Sequence, residues 1–203
     1  MADPLIAIYR TKGAEGAYSN HPNDSGGETL WGISRNNTPT WFFWESWDVL
    51  KQSPDPWARA NLDEVKKACL EWYEMNPDSP WSKIRGSEIP SQWIADELFD
   101  TATNAYHLTA AEFLQRTLNI LNRSDRDAGL LWEELEVRGG IGPRTLGALR
   151  EALARGMGPE IWKYLNALQG AFYVRIAELN PSLEAFTRGW AKRIFERDLS
   201  QFQ

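Results

Sequence analysis

Two carboxylic acids and a threonine stand close together near the start of the chain. Glu15, Asp24 and Thr29 fall within the stretch AEGAYSNHPNDSGGETLWGIS. Glu15 follows a predicted helix, and the partial negative charge at a helix C-terminus raises the pKa of a nearby carboxyl. Asp24 falls in a predicted Gly-rich turn whose exposed N–H groups keep a carboxylate ionised. Two carboxyls with different pKa values are the minimum equipment for glycoside hydrolysis, and Thr29 could orient a water between them.

The spacing of these residues also has a plain structural interpretation. A Glu and an Asp nine residues apart occur in many proteins without any catalytic role. Asp24 could cap a turn, and Thr29 could be an ordinary strand residue. Spacing alone therefore leaves both interpretations open.

The elements that would position these residues can be predicted from local signals. Asp3-Pro4 is typical of a helix start, and that helix should end near residues 13–16. The Gly-, Asn- and Asp-rich segment after it predicts a small β-hairpin or loop insertion near residues 17–34. Beyond residue 60 the helical period dominates, with one further start predicted near Thr109. The sequence therefore predicts a mainly α fold, with residues 36–60 unassigned.

Composition and charge exclude several classes of protein. The 203 residues carry a net charge of −6, which counts against a nucleic-acid binder. One Cys and two His make a His/Cys metal site improbable, so neither a metal nor another cofactor is expected. The first residues do not read as a signal peptide and no stretch approaches a membrane span. We therefore expect synthesis in the cytoplasm, no stable membrane association and a monomer.

The whole string around Glu15 carries more information than its spacing. It resembles the signature of glycoside hydrolase family 108, which runs Glu-Gly-Gly-Tyr, then Asp-Pro-Gly-Gly, Thr and Gly-Ile-Thr. The similarity continues downstream in ADELFDTATNAY, with Phe99, Asp100 and Asn104 in place, and in FLQRTLNILNR and VRGGIGPRTLGAL. It ends in AFYVRIAELNPSLEAFTRGWAKRI, so that it spans about residues 5–197 in the family's order.

The resemblance implies a fold, an activity and a set of site residues. It implies a lysozyme-like helical unit over residues 1–203, with a peptidoglycan-binding subregion at 109–200. Members of the family are peptidoglycan N-acetylmuramidases, so Glu15 is similar to the general acid. Asp24 and Thr29 occupy the motif positions that position or activate water. The partner would be the glycan strand of peptidoglycan, and a muramidase without a signal peptide fits a phage endolysin that a pore-forming partner releases to the wall.

Three further residues are candidates for contacting the sugar. Tyr18 and Trp31 flank the acidic motif, and their aromatic faces could pack either on sugar rings or between the hairpin and a helix. Asn104 could bind an N-acetyl group or a hydroxyl, or could make a helix-end hydrogen bond. Trp41, Trp44 and Trp47 would share a helix face, which favours core packing or a cleft wall over a separate carbohydrate site.

Departures from the family pattern keep other functions open. Ala17 replaces the second Gly after Glu15, Ser25 replaces the Pro after Asp24, and Arg138 stands where the family often has Asp. A non-catalytic peptidoglycan-binding or structural protein would fit these changes. The same acid chemistry on another amino-sugar polymer such as chitin is the third hypothesis.

Overall fold

A computed structural model describes residues 1–12, 18–20, 27–123 and 129–195 of the chain. The helices in this part are α1 (Pro4–Lys12), α2 (Phe43–Leu50), α3 (Arg59–Met75), α4 (Pro80–Lys83), α5 (Gln92–Ala105), α6 (His107–Ile120), α7 (Pro143–Ala154), α8 (Gly158–Leu179) and α9 (Thr187–Phe195). Short 3-10 helices cover Gly86–Glu88 and Pro181–Phe186. The predicted mainly α fold is confirmed.

The β insertion is a small antiparallel sheet of three strands, in the order β1 (Tyr18–Ser19), β2 (Thr29–Leu30) and β3 (Ile33–Ser34). Tyr18 is paired with Leu30, and Thr29 is paired with both Ser19 and Ser34. Thr29 therefore lies on the central strand. The sequence predicted an insertion over residues 17–34, and the structure adds a third strand to the expected hairpin.

Helix α5 occupies the centre of the fold and packs against α1, α4, α6 and α8. All residues from Ile94 to Ala102 are buried, because neighbouring helices cover this helix on every side. Its buried carboxylates have partners. Asp96 is held by Arg10 of α1 and by Gln92, whose Nε2 donates to Asp96 Oδ1 at 2.6 Å. Paired charges of this kind make a helix with buried acids compatible with the core.

One side chain of α6, Asn119, and one just after the helix, Asn122, hold the loop that follows. The side chain of Asn119 binds both the carbonyl and the N–H of Leu135. The side chain of Asn122 binds the N–H of Leu131 and both the N–H and the carbonyl of Trp132. Helix α6 begins at His107, two residues before the predicted start near Thr109, and Tyr106 rather than Thr109 is its N-cap. Thr109 lies inside the first turn, where its hydroxyl donates to the carbonyl of Ala105 instead of capping the helix.

Within the described segments, no helix combines the length and the apolar character that crossing a bilayer requires.

Candidate active site

The structure describes the frame on either side of the two acids rather than the acids themselves. Glu15 and Asp24 both lie outside the described residues. In the sequence, Glu15 falls between the end of α1 at Lys12 and the start of β1 at Tyr18, and Asp24 falls between β1 and β2. The described frame of this site therefore consists of α1, the sheet and the elements that hold the sheet in place.

Thr29 is the one predicted catalytic residue that the structure describes. Its half-buried hydroxyl donates a hydrogen bond to the carbonyl of Gly27 at 3.1 Å. Because the hydroxyl proton is directed at Gly27, the oxygen lone pairs are left to accept from a water or a substrate hydroxyl. This is the arrangement that a water-orienting threonine requires.

Gly27 sets the backbone geometry just before Thr29. Its φ of +66° lies in the left-handed region, which a residue with a side chain adopts only at a cost. A Cβ at this position would also lie 2.8–3.0 Å from the side-chain amide of Asn36. The left-handed backbone therefore favours glycine here, and the exposed Asn36 side chain would have to move to admit a Cβ.

Glu28, beside Thr29, is a buried carboxylate held by several donors. Its side chain is 9% exposed. Oε1 accepts from Tyr18 Oη at 3.0 Å, from Trp47 Nε1 at 3.1 Å and from Lys51 Nζ at 3.0 Å. Oε2 lies 3.1 Å from Arg35 Nε. These contacts connect β1, β2 and α2 at a single carboxyl group.

The ion pairs continue from Glu28 through Asp48 of α2. Arg35 binds Asp48 with both terminal nitrogens, at 3.2 and 2.9 Å, and its guanidinium lies 4.5 Å from the ring centre of Trp44. Lys51 Nζ lies 2.6 Å from Asp48 Oδ1. Two acids and two bases thus alternate in one network, hereafter the Glu28 network, which joins the sheet to α2.

The electrostatics of the Glu28 network keep its acids ionised. Burial by itself would raise the pKa of Glu28, but hydrogen bonds from Lys51, Trp47 and Tyr18 outweigh it, so that this pKa lies below its ordinary value. Hydrogen bonds from Arg35 and Lys51 lower the pKa of Asp48 as well. A Glu28 that stays ionised at neutral pH is suited to anchoring and not to donating a proton.

The two predicted aromatic contacts have different surroundings. Tyr18 is half-buried, donates to Glu28, and its ring lies 5.3 Å from that of Trp47. Trp31 is only 4% exposed, its ring meets Tyr9 edge-on at 4.7 Å, and its carbonyl accepts from Tyr73 Oη. The described contacts of Trp31 are those of packing between the sheet and two helices, one of the two roles that the sequence left open.

Asn104 lies in the last turn of α5, where its Nδ2 donates to the carbonyl of Asp100 at 2.8 Å. This is the helix-end hydrogen bond that the sequence allowed as an alternative to a sugar contact. That Asn104 also contacts substrate through its amide oxygen stays a prediction.

The tryptophan-rich segment mostly builds core. Trp41, Trp44 and Trp47 are buried, while Trp57 is partly exposed beside Trp47 at 5.2 Å. Helix α2 begins only at Phe43, so Trp41 precedes the helix that carries the other two. Trp41, Trp44 and Trp47 all belong to the hydrophobic core and Trp41 also lines a cleft, in agreement with the favoured interpretation of core packing or a cleft wall.

Sequence reasoning missed the Glu28 network. Glu28 stands directly before Thr29 in the motif Gly-Gly-Glu-Thr, so adjacency to a predicted catalytic residue was the available signal. Its partners Arg35, Asp48 and Lys51 lie 7–23 residues further on, without a motif of their own. Only the fold of α2 against the sheet brings them together.

Comparison with known proteins agrees with this arrangement of elements. Residues 8–105 match the family model described as glycosyl hydrolase 108, and residues 109–195 match one described as a predicted peptidoglycan domain. The chain carries a glycosyl hydrolase 108 segment. This segment ends with α5, and the peptidoglycan segment begins in the first turn of α6. Together the two segments identify a glycoside hydrolase that acts on peptidoglycan.

One solved structure shows the fold that this chain shares. The chain aligns with the structure of Brucella abortus SagA over 96% of each of the two chains, with a TM-score of 0.54 and 22% sequence identity. At this identity the similarity concerns the fold alone. No curated protein sequence matches the chain.

Proposed function

We propose that this chain is an N-acetylmuramidase, a lysozyme that hydrolyses the β-1,4 bond between N-acetylmuramic acid and N-acetylglucosamine. The observation that carries the proposal is the family match over residues 8–105, because this segment contains Glu15, Asp24 and Thr29 together. The peptidoglycan domain at residues 109–195 supports the same substrate.

Glu15 acts as the general acid in this proposal. Its carboxyl protonates the glycosidic oxygen as the bond from that oxygen to the anomeric carbon breaks, so that the leaving sugar departs as an alcohol. Asp24 remains ionised and faces the positive charge that develops on the sugar ring. Whether Asp24 activates water or attacks the ring itself determines inversion or retention of the anomeric configuration.

Thr29 positions the water that completes the reaction. The hydroxyl proton of Thr29 is directed at Gly27, so its oxygen accepts a hydrogen bond from the attacking water and fixes the direction of the water lone pair. The Glu28 network supports this by joining the strand of Thr29 to α2 through a buried carboxylate. Glu28 is thus a positioning residue, and it does not react.

We further propose that the chain serves as a phage endolysin in host-cell lysis and is made in the host cytoplasm. In that role the chain is released to the wall by a pore-forming partner and acts on host peptidoglycan. Expression in a bacterial host with and without a co-expressed pore-forming protein tests this part of the proposal. Lysis that needs the pore supports it, whereas lysis by the chain alone shows another delivery route.

Analysis of digested peptidoglycan tests the cleavage specificity. Purified protein is incubated with sacculi, and the products are reduced and identified by mass spectrometry. Reducing-end N-acetylmuramic acid is the expected result, and reducing-end N-acetylglucosamine would overturn it. A parallel digest of chitin shows whether the other amino-sugar polymer is the substrate.

Substitution of the acid tests the assignment of Glu15. Glu15→Gln should lower the rate by about 10²–10⁴-fold, the range expected for loss of a general acid. The matched control is Glu45→Gln, an exposed glutamate of α2, which should keep the wild-type rate. If the wild type binds sacculi and releases no reducing ends, the chain is instead a non-catalytic peptidoglycan-binding protein, the alternative that Ala17, Ser25 and Arg138 favour.

A further inference from the structure

An open cleft lies between the loop that leads into α2 and the C-terminal end of α3. Its volume is about 430 Å³, within the range of small-molecule sites. Its lining combines aromatic rings with amide, hydroxyl and carboxylate groups, contributed by Asn37, Thr38, Pro39, Thr40, Trp41, Phe42, Trp72, Asn76 and Asp78. None of these residues belongs to the Glu28 network or to the predicted catalytic set.

The first wall of the cleft is a tightly bonded loop. Thr38 uses both its backbone N–H and its hydroxyl to bind the carbonyl of Ser34, at 2.9 and 2.6 Å. The carbonyl of Thr38 in turn accepts from the indole N–H of Trp44 at 2.7 Å and from the N–H of Trp41 at 3.1 Å. This wall is therefore held in place without a ligand.

The second wall is the end of α3, and it is equally well held. The Oδ1 of Asn76 accepts from the N–H of Asp78 at 2.9 Å, and the N–H of Asn76 donates to Trp72 at 3.0 Å. Ser79 closes the turn, because its hydroxyl donates to Tyr73 at 2.6 Å. Two rigid walls make a preformed site, which reduces the entropy lost on binding.

The lining offers both of the contacts that a sugar ring needs. Phe42 is 58% exposed, an unusual position for a large ring in a loop whose neighbours are buried. Trp72, half-buried, provides a second aromatic surface on the opposite wall. Aromatic faces pack against the C–H faces of sugars, and polar groups beside them select hydroxyl and amide groups.

The polar groups fit a neutral, amide-bearing ligand. The backbone N–H of Asn37 donates to the hydroxyl of Ser34, and the Oδ1 of Asn76 accepts from the N–H of Asp78. These bonds leave the side-chain N–H groups of both asparagines for a ligand. Trp41 also lines the cleft, so its indole signal reports on the occupancy of this site. The lining includes Asp78 and neither Lys nor Arg, which disfavours the anionic stem peptides of peptidoglycan.

We propose that this cleft is a second saccharide-binding site that takes N-acetylhexosamine units of a glycan strand. The identification of the glycan as peptidoglycan rests on the proposed function. The recognition of N-acetylhexosamine units does not, because both peptidoglycan and chitin contain them. The acetamide group binds the asparagine amides, and the sugar ring packs between Phe42 and Trp72. A second site of this kind holds the strand while the catalytic segment acts on it.

The test is a titration that reports on this cleft alone. Protein labelled with ¹⁵N-tryptophan is titrated with N,N′,N″-triacetylchitotriose, and the dissociation constant is read from the indole signals of Trp41 and Trp72.

Phe42→Ala should raise this dissociation constant by about five- to tenfold through loss of an aromatic face. Phe42→Tyr keeps the ring and should stay within about twofold of wild type. Asn37→Ala, which removes an amide and keeps the backbone, should weaken binding about threefold or more.

The matched control is Phe186→Ala, since Phe186 is also 58% exposed but lies in the 3-10 helix before α9. It should leave the dissociation constant unchanged. Cellotriose, which lacks acetamide groups, should bind more weakly than chitotriose. Unmoved Trp41 and Trp72 signals at saturating chitotriose, or equal effects of Phe42→Ala and Phe186→Ala, would overturn the proposal.

Two further measurements identify the glycan and distinguish this proposal from the proposed function. In the first, peptide-free peptidoglycan strands are titrated in place of chitotriose. If both ligands shift the same tryptophan signals, the site recognises the sugar chemistry that they share. Binding is measured without cleavage, so a chain that binds here and releases no reducing ends contradicts the muramidase proposal alone. A chain that cleaves peptidoglycan with these signals unmoved contradicts the second site alone.

Discussion

Arg193 of α9 reaches back to Asp100 of α5, with 2.9 Å between Nη1 and Oδ1. The Asp100 side chain is fully buried and that of Arg193 is 31% exposed. The other carboxylate oxygen accepts from Gln169 of α8 at 2.8 Å. Because Asp100 belongs to the glycosyl hydrolase segment and the other two to the peptidoglycan domain, the two segments share a buried polar contact.

Loss of this contact should destabilise the chain as a whole. Arg193→Met keeps much of the side-chain length and removes the charge, so that a buried carboxylate loses a donor. We expect the free energy of unfolding to fall by about 2 kcal/mol, as for a hydrogen bond to a charged group. Urea denaturation measures it, with Arg188→Met on the exposed side of α9 as the control. Equal midpoints for the two variants would contradict the prediction, and adding Asp100→Asn to Arg193→Met should recover part of the loss.

Thr29 gives a prediction that separates catalysis from folding. Thr29→Ala should lower kcat on labelled sacculi by about 10²-fold with little change in KM, because the water loses its acceptor. Thr29→Ser keeps the hydroxyl and should retain most of the activity. The thermal midpoint should stay close to that of wild type in both variants. If alanine and serine are equally active, Thr29 does not position the water.

The sequence predicts the helices and the β insertion well because both have local signals. The start of α1 at Pro4, the end of α3 before Pro77 and the start of α7 at Pro143 each follow from proline chemistry at helix ends. The two-residue difference at Thr109 has a physical cause, since a threonine is a good cap in isolation but α6 starts at His107, directly after α5.

The site could be predicted only as far as its motif. Thr29 was placed by the resemblance, whereas Glu28 beside it was overlooked, because its importance comes from Trp47 and Lys51 on another element. The same limit applies to the saccharide cleft, whose walls are 30 or more residues apart along the chain. Contacts of this kind depend on tertiary packing and have no local sequence signal.

The Glu28 network gives a prediction about pH. The folded-state pKa of Glu28 is lowered, so its contribution to stability is complete above the unfolded-state pKa of about 4.3 and disappears as the pH falls through the folded-state value. Glu28→Gln should therefore be less stable than wild type by about 1–3 kcal/mol at pH 7. The difference should shrink as the pH is lowered below 4.

Denaturation at a series of pH values measures this difference. Asp48→Asn is the comparison, because Asp48 belongs to the same network but its side chain is much more exposed. Solvent screening should make its effect smaller than that of Glu28→Gln. A Glu28→Gln difference that stays constant from pH 7 to pH 3 would show that the carboxylate charge is not what stabilises the sheet against α2.

Two glycines should respond in opposite directions to the same substitution. A Cβ on Gly86 would lie 2.3–2.6 Å from the ring of Trp81, which is buried and bonded to Ser87. Gly86→Ala should therefore cost about 1–3 kcal/mol, because a packed ring must move. Gly147 is exposed inside α7 and a Cβ there meets nothing within 4 Å, so Gly147→Ala should add about 0.5–1 kcal/mol through helix propensity. Differential scanning calorimetry should show a lower midpoint for Gly86→Ala and a higher one for Gly147→Ala. An unchanged or higher midpoint for Gly86→Ala would mean that the Trp81 contact does not constrain Gly86, and a lower one for Gly147→Ala would contradict the helix-propensity argument.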